Sequence, residues 1–294
     1  MRSIAGLALA GFVALFVHAA HAAQQAADVQ TAGVPGPRAA QPPAAVQGPS
    51  VAEIVDRNAA ARGGVEAWRK IQTMVWVGHA ERANLPGHKL PFVLEQKRPR
   101  STRFELSTDG QKSLRVFDGN NGWKLRPSSS GVPETQPYSS DELIYARGAQ
   151  VIDGPLMDYA AKGATMRLTG VDSIEGRKAY RLDVSQFGAL NGRIWVDAET
   201  FLELRYDRES RSMGKSGTVS MTYRDYQAFD GLHMPVVIET GNAADAVKDK
   251  LVIERIALNP PLDDRAFVKP SVAKPRRSGG IVVDTRSAAG RPGQ

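Results

Sequence analysis

The residue types that carry out acid–base, nucleophilic or metal chemistry are few in this chain, and they are not grouped at useful spacings. His79 and His88 lie on either side of the Pro86–Gly87 turn, and neither these residues nor His233 has a carboxylate pair at metal-ligand spacing. The G-x-S-x-G pattern that presents a serine nucleophile does not occur. The sequence therefore predicts surface or strand-end histidines, with no metal site and no catalytic site.

Two short segments partly match loops that bind phosphate or calcium. Gly214–Gly217 contains the Gly-Lys-Ser of a phosphate loop, but Glu209 stands where the earlier glycine is required, and no helix is predicted after it. Asp118–Gly122 places its glycine one residue too early for a calcium loop, and Ser129 stands where a bidentate glutamate is required. We interpret both segments as turns between strands and predict no cofactor.

The positions of the acidic pairs and the absence of cysteine also argue against a catalytic or metal site. Asp141–Glu142 and Asp263–Asp264 lie at predicted helix starts, where the helix dipole accounts for them. Without cysteine the chain can form no disulfide and no thiolate metal site, and it has no cysteine for lipid attachment behind a signal peptide. We therefore predict a binding protein rather than an enzyme.

Residues 1–22 have the features of a signal peptide. Arg2 supplies the positive charge, Ile4–Val17 is an apolar run of 14 residues, and Ala20–Ala22 matches the small-x-small cleavage pattern. The run is shorter than the roughly 20 residues that a membrane-spanning helix needs, and an N-terminal anchor is the alternative interpretation. We predict export to the periplasm and a soluble mature protein.

The segments on either side of the folded part differ from it in composition. Residues 23–49 consist almost entirely of Ala, Gln, Gly, Pro and Val, which predicts a disordered linker. The formal charge of the chain is +7, and residues 271–294, predicted to be a disordered tail, are distinctly basic. The alternative role for this tail is a weak attraction to anionic membranes or to an acidic partner. The remaining part is too mildly basic to indicate nucleic-acid binding.

Sequence periodicity predicts one domain over residues 50–270. Ser50 has capping-box spacing to Glu53 and begins a helix that Gly63–Gly64 ends, and a helical turn follows at Glu66–Lys70. After these helices the apolar period changes to two, which predicts about ten antiparallel strands with one polar face. Asp109–Gly110 is predicted to form a hairpin turn between two of these strands.

Two further helices are predicted between the strands. Ser139 and Ser140 can cap a helix over Asp141–Arg147, and Gly154–Pro155 is expected to start a second helix that Gly163 ends. Two short helices cover only part of a sheet with about ten strands. The sheet is therefore expected either to close on itself or to leave an apolar cavity.

An ordered set of short segments extends over most of residues 50–270. It comprises Ala61–Trp68 with Ile71 and Val75, Lys97-Arg98-Pro99, Asp118–Gly119 with Trp123, Trp195–Thr200, Asp225–Tyr226, and Leu258–Pro261 with Phe267 and Pro270. In order and spacing this set resembles the periplasmic lipoprotein-carrier family, the LolA-like outer-membrane lipoprotein-sorting proteins.

The resemblance implies a mainly β (α+β) fold: a half-open curved antiparallel β-barrel with an N-terminal helix and inserted short helices covering the concave face. In that family the cavity takes lipoprotein acyl chains between the inner and outer membranes, the helices act as a lid, and an arginine before a proline helps to hold the lid shut. Arg98 matches that arginine, and by period two it shares a face with Phe92 and Leu94. The alternative is a surface arginine at a strand end.

On this interpretation the protein carries a lipid or lipoprotein acyl chains, and inner- and outer-membrane receptor proteins are possible partners of what is expected to be a monomer. The residues expected to line the cavity and the lid are Trp76, Phe92, Leu94, Arg98, Phe104, Leu106, Trp123, Leu143, Ile144, Leu156, Met157, Leu182, Leu204 and Met221.

The proline-rich linker and the basic tail are not typical of the housekeeping carrier, and the same fold also occurs in periplasmic sensors. The alternative function is therefore a sensor or interaction module that binds a lipid signal and a regulatory protein partner. A carrier hands its lipid to a membrane or a receptor, whereas a sensor changes its affinity for a protein.

Overall fold

The computed structural model describes residues 48–128, 132–148, 152–186, 191–212, 215–242 and 247–271. The predicted signal peptide, all but the last two residues of the predicted linker and all but the first residue of the predicted tail lie outside these ranges. Those three segments stay predictions.

The described residues form one antiparallel sheet of thirteen strands, which confirms the predicted mainly β class. The estimate of about ten strands was low because β6 has only four residues and a register shift between Leu168 and Gly170 interrupts the alternation in β7. The strands are β1 Thr73–Arg82, β2 Leu85–Lys97, β3 Ser101–Thr108, β4 Gln111–Phe117, β5 Gly122–Arg126, β6 Glu134–Pro137, β7 Ala164–Ile174, β8 Arg177–Gln186, β9 Gly192–Asp197, β10 Glu203–Ser212, β11 Lys215–Phe229, β12 Leu232–Gly241 and β13 Asp249–Leu258.

The strand order shows how the sheet is assembled. It runs β6-β5-β4-β3-β2-β1-β13-β12-β11-β10-β9-β8-β7, so that all neighbours are consecutive in sequence except β1 and β13. The chain therefore makes two meanders, and pairing of the first strand with the last joins them. The edges β6 and β7 do not pair with each other, which gives the half-open, curved antiparallel barrel that was expected.

The turns after β3 and β4 have the geometry predicted from their sequences. Asp109 and Gly110 have φ angles of 49° and 76°, and positive φ at both central residues suits a two-residue hairpin loop. After β4, Asp118 Oδ1 accepts hydrogen bonds from the backbone N–H groups of Asn120 and Asn121, each at 2.7 Å. This acidic segment is a turn, as expected.

Two helices precede the sheet. They are α1 (Val51–Ala61) and α2 (Val65–Arg69). The Ser50 hydroxyl accepts a hydrogen bond from the backbone N–H of Glu53 at 3.1 Å and so caps α1, as its spacing predicted. Gly63–Gly64 ends the helix with φ angles of 103° and 92°.

In the part of the chain that the structure describes, one helix lies between the strands where two were predicted. α3 (Ser140–Gly148) confirms the first prediction, and a short 3₁₀ helix (Asp264–Phe267) follows the last strand. Residues 152–163, predicted to be a second helix, form turns instead. Gly154 and Asp158 have φ angles of 75° and 50°, and a left-handed residue interrupts a right-handed helix.

The two faces of the sheet carry different side chains. Cross-strand pairing places Trp76, Leu94 and Phe104 on one face, here called the inner face, together with the largest apolar cluster. On the opposite, outer face, Arg103 bridges the carboxylates of Glu95 and Glu105. This division decides which residues can line a cavity inside the half-barrel.

Candidate ligand-binding face

The inner face of β1–β3 and β10–β13 carries a continuous apolar cluster. The rings of Phe92 and Phe104 stack within it, with centroids 5.7 Å apart. Its members in the described part of the chain all lie on strands, and they include six of the predicted site residues: Trp76, Phe92, Leu94, Phe104, Leu106 and Met221. The structure thus brings these six residues, which were expected to line the cavity, together on one face of the sheet.

The helices before the sheet pack against two other apolar clusters of the inner face. Ile54 of α1 packs in a cluster with Leu156 and Leu182, and Trp68 of α2 packs in another cluster with Met157. Three more predicted site residues therefore lie under α1 and α2. The strand-only cluster on the other half of the sheet is the better place for a ligand.

Residues 138–163, here called the crossing segment, connect β6 to β7. These strands are the two edges of the sheet. In its described parts, residues 138–148 and 152–163, the segment contacts both halves of the sheet from the inner side. It contains α3 and the turns that carry Leu156 and Met157. Its course is the one that a lid over the inner face requires.

The first turn of α3 is attached to β4 and β5 by a buried carboxylate. Glu142 accepts hydrogen bonds from Arg115 Nη2 at 3.0 Å and from Lys124 Nζ at 2.7 Å, and its side chain is only 3% exposed. Ser139 and Glu142 also form a reciprocal capping box, with each backbone N–H donating to the other side chain. Burial raises the pKa of Glu142, but the charge of Arg115 and these hydrogen bonds lower it below its ordinary value.

The second turn of α3 is attached to β10, in the other half of the sheet. The Tyr145 hydroxyl donates to the backbone carbonyl of Glu209 at 3.2 Å, and the Arg208 guanidinium carbon lies 5.3 Å from the centre of the Tyr145 ring. Together with the Glu142 contacts, these interactions fix α3 to both halves of the half-barrel.

The turns of the crossing segment are held by Asp153, whose side chain is 7% exposed. Its carboxylate accepts hydrogen bonds from Arg98 at 3.1 Å and from Lys162 at 3.0 Å. Arg98 also donates to the backbone carbonyls of Ile71 at 2.7 Å and Trp68 at 3.2 Å. Arg98 therefore connects the end of β2 to the end of α2 and to the crossing segment.

Burial lowers the pKa of Lys162, and the adjacent Asp153 carboxylate partly offsets this effect. The same ammonium group donates to the carbonyl of Gly154 at 2.8 Å. The segment after α3 is thus attached through charged hydrogen bonds as well as apolar contacts.

Two predicted site residues lie on the outer face. Trp123 pairs with Val116 and Pro137 on that face, and the nearby Thr135 hydroxyl donates to the carbonyl of Pro270 at 3.3 Å. The segment after the last strand therefore reaches this side of the sheet and explains why apolar side chains occur there.

The position of Leu204 corrects a second expectation. A register shift between Glu203 and Arg205 interrupts the alternation of β10, so Leu204 and Tyr206 do not share a face. Leu204 packs with Ala179 and Trp195 in a separate outer-face cluster.

The two remaining predicted residues lie on α3. Leu143 packs against the cluster of Phe117, Tyr138 and Ala146 at the β4–β6 end of the inner face. Ile144 is half-buried and belongs to none of the five apolar clusters in the described residues.

Sequence reasoning missed the charged residues of the inner face. Lys124 alternates with Trp123 and Leu125, so an ordinary amphipathic strand would turn Lys124 outward. Pairing with Arg115 instead places Lys124 on the inner face. The capping-box spacing of Ser139 and Glu142 was the one available signal, and it indicates a helix start without revealing the cations.

Within the described ranges, no three His, Asp or Glu side chains are grouped as a metal site. No helix in the same ranges combines the length and apolar character needed to cross a membrane.

Solved structures share this architecture, although no protein-family model and no curated protein matches the chain. A LolA superfamily protein from Nitrosomonas europaea is 14% identical, with a TM-score of 0.51 over 76% of this chain and 99% of that chain. The chain shares the fold of that protein.

Two other similar structures have lower scores. One is a protein domain named for outer-membrane lipoprotein sorting, from Vibrio parahaemolyticus, at 11% identity and a TM-score of 0.49 over 74% of this chain and 95% of that chain. The other is a DUF1329 family protein from Desulfovibrio piger, at 14% identity and a TM-score of 0.48 over 74% of this chain and 97% of that chain. The half-open β-barrel fold expected from the short motifs is confirmed by the likeness to the Nitrosomonas europaea structure.

Proposed function

We propose that the protein is a periplasmic binding protein that carries a lipid, or the acyl chains of a lipoprotein, on the inner face of its half-barrel. The observation that carries this proposal is the buried apolar cluster of the inner face, whose members all lie on strands of a sheet with two unpaired edges that the crossing segment connects. Each acyl CH₂ group that enters such a surface contributes about 0.8 kcal/mol.

The crossing segment is held by charged hydrogen bonds that are weak enough for a bound acyl chain to be taken up and released. Arg98 and Lys162 hold Asp153, and Arg115 and Lys124 hold Glu142. Hydrogen bonds to charged groups contribute roughly 1.5–3 kcal/mol each. That is comparable with the burial of a few CH₂ groups, so a lid closed by them can be displaced by an acyl chain. Transfer would then involve receptor proteins at the two membranes, with the carrier acting as a monomer.

The first test is native mass spectrometry of protein purified from a periplasmic extract, followed by organic extraction of any bound molecule. We expect a co-purifying acylated species. A clean apo mass, together with no uptake of added lipid or lipopeptide, would contradict lipid carriage and direct attention to a regulatory protein partner.

Tryptophan fluorescence locates the binding site. Delipidated protein should show a fluorescence change on lipid addition that disappears in Trp76→Phe, because Trp76 lies in the inner-face cluster. The matched control is Trp195→Phe, since Trp195 lies in the outer-face cluster and its replacement should preserve the change. The opposite pattern would exclude the inner face as the binding site.

A further inference from the structure

One row of paired residues across the inner face changes from apolar to cationic. Trp76 pairs with Leu94, Leu94 with Phe104, Phe104 with Arg115, and Arg115 with Lys124. Adjacent strands lie about 4.8 Å apart, so the apolar part spans about 10 Å and the two cations follow directly. The row is therefore complementary to an amphiphile that has an apolar chain and a negatively charged end.

The two cations lie deep in the protein. The Arg115 and Lys124 side chains are 9% and 12% exposed. Buried cations are costly unless an anion accompanies them. Here that anion is Glu142 of α3, which accepts hydrogen bonds from both.

A third cation lies near this end of the row. Arg115 and Lys124 share Glu142, and Arg126 follows Lys124 by two residues on β5. Burial lowers the pKa of Lys124; Glu142 partly offsets this effect, and the charges of Arg115 and Arg126 lower the pKa further. In addition, Arg115 Nε is buried without a hydrogen-bond partner. An anion that replaces Glu142 would therefore meet the donors of Arg115 and Lys124.

We propose that the ligand is an anionic amphiphile whose phosphate or carboxylate headgroup binds Arg115 and Lys124 in place of Glu142, while its acyl chain lies on the Trp76–Leu94–Phe104 row. This inference rests on the proposed lipid-binding function and adds the charge class of the ligand. Glu142 occupies the headgroup position when no ligand is bound. Binding of the headgroup releases the first turn of α3, so ligand charge and lid opening are coupled.

The experiment compares two lipids with the same chain. Binding of palmitoyl lysophosphatidylglycerol and of uncharged monopalmitoylglycerol, which has no phosphate, is measured by titration calorimetry on delipidated full-length protein, below the concentrations at which the lipids aggregate. We expect the anionic lipid to bind at least about tenfold more tightly, since a charge-assisted hydrogen bond is worth roughly 1.5–3 kcal/mol.

Substitutions test whether the cations at the end of the row cause the preference for the anionic lipid. Lys124→Gln should remove most of it, and Lys124→Arg should keep it. The matched control is Lys112→Gln, which removes the same charge from the outer face of the neighbouring strand, where Lys112 pairs with Glu105. Glu142→Gln should tighten binding of the anionic lipid several-fold, because it removes the competing carboxylate. This variant keeps the test valid if Lys124→Gln does not fold.

The outcomes separate this inference from the proposed function. Equal binding of both lipids by the wild-type protein overturns the anionic headgroup and leaves lipid binding intact. No binding of either lipid overturns both. Binding of inorganic phosphate that depends on Lys124 and persists without any lipid effect would assign the cations to a free anion and overturn the amphiphile.

Discussion

At the level of the residue, two buried carboxylates attach the crossing segment to the rest of the molecule. Glu142 and Asp153 are both nearly inaccessible, and each accepts hydrogen bonds from two cations that belong to different elements. Removing one partner of such a buried pair leaves an uncompensated charge, which costs more than an exposed ion pair contributes. The crossing segment is therefore sensitive to single substitutions at a few positions.

Replacing Arg98 tests one of these attachments. Arg98→Leu removes the donors to the carbonyls of Ile71 and Trp68 and to Asp153. We expect a loss of about 2 kcal/mol in the free energy of unfolding, and faster release of bound lipid, because the crossing segment loses a contact to the sheet. Urea unfolding and stopped-flow lipid release measure the two effects.

The matched control for this substitution is Arg100→Leu, since Arg100 is exposed two residues further on. It should change neither quantity measurably. Unchanged uptake and release kinetics in Arg98→Leu would show that Arg98 is not part of lid closure.

Glu142 makes stability depend on pH. Its pKa is lower in the folded protein than the ordinary value of 4.5, so its contribution is complete above that pH and is lost as pH falls through the folded-state pKa. We expect Glu142→Gln to cost about 3 kcal/mol at pH 7 and to flatten the fall in stability in acid. Urea unfolding from pH 7 down to pH 3 is the measurement.

Asp141→Asn provides the comparison for Glu142→Gln. Asp141 lies beside Glu142 in the first turn of α3 but is not fully buried. Its replacement should leave the slope of stability against pH close to that of the wild type. An equal flattening in both variants would contradict a special role for Glu142.

At the level of the element, α1 and α2 are positioned by a close approach of backbone to backbone. A Cβ atom at Gly63 would overlap the carbonyl oxygen of Gly231, in the turn before β12. Nearby, the backbone N–H of His233 donates to the carbonyl of Arg62 at 3.1 Å. The two helices therefore sit against the start of β12 in one defined position.

Substitutions at two adjacent glycines distinguish the effect of this close contact from the effect of backbone strain. Gly63 and Gly64 both have positive φ, but a Cβ atom at Gly64 would meet nothing within 4 Å. We expect Gly64→Ala to cost about 2 kcal/mol from backbone strain alone, because its φ of 92° and ψ of 142° form a combination that residues with a Cβ atom rarely adopt. Gly63→Ala should cost about 2 kcal/mol more than Gly64→Ala, since overlap with the Gly231 carbonyl adds to strain. Thermal and urea unfolding compare them, and equal losses would argue against the contact with Gly231.

Local sequence signals predicted the elements well where one residue determines the geometry. The Ser50 cap, the Asp109–Gly110 hairpin and the start of α3 each depend on a side chain or glycine that acts on its own backbone. Predictions failed where distant contacts decide. The register shift at Leu204 reflects its pairing with β9, and the left-handed Asp158 in the predicted second helix forms an ion pair with Arg69 of α2.

Only part of the candidate site could be predicted from the sequence, because local alternation places some of its residues and distant contacts place the others. Alternation along β2 and β3 was enough to place Phe92, Leu94 and Phe104 on one face. The inner position of Lys124 was not predictable, because it requires the outer face to be covered by the segment after the last strand. A cation on an apolar row is recognised only once the pairing is known.

At the level of the whole molecule, one pairing joins the two meanders. β1 and β13 pair over eight residue pairs, with a shift between Val77 and Gly78. A Cβ atom at Gly78 would overlap the carbonyl oxygen of Val252, so glycine permits the two strands to meet there. No local sequence signal identifies this pairing, because its partners lie at opposite ends of the domain.

The way the crossing segment is connected limits how the molecule can open. A hinged flap has one free end and swings away from its site, but this segment continues into an edge strand at each end. It therefore resembles a strap fastened at both ends. On the proposed lipid-binding function, room for a ligand comes from rearrangement of the turns at 152–163 or from separation of the two edge strands, and not from the swing of a free end.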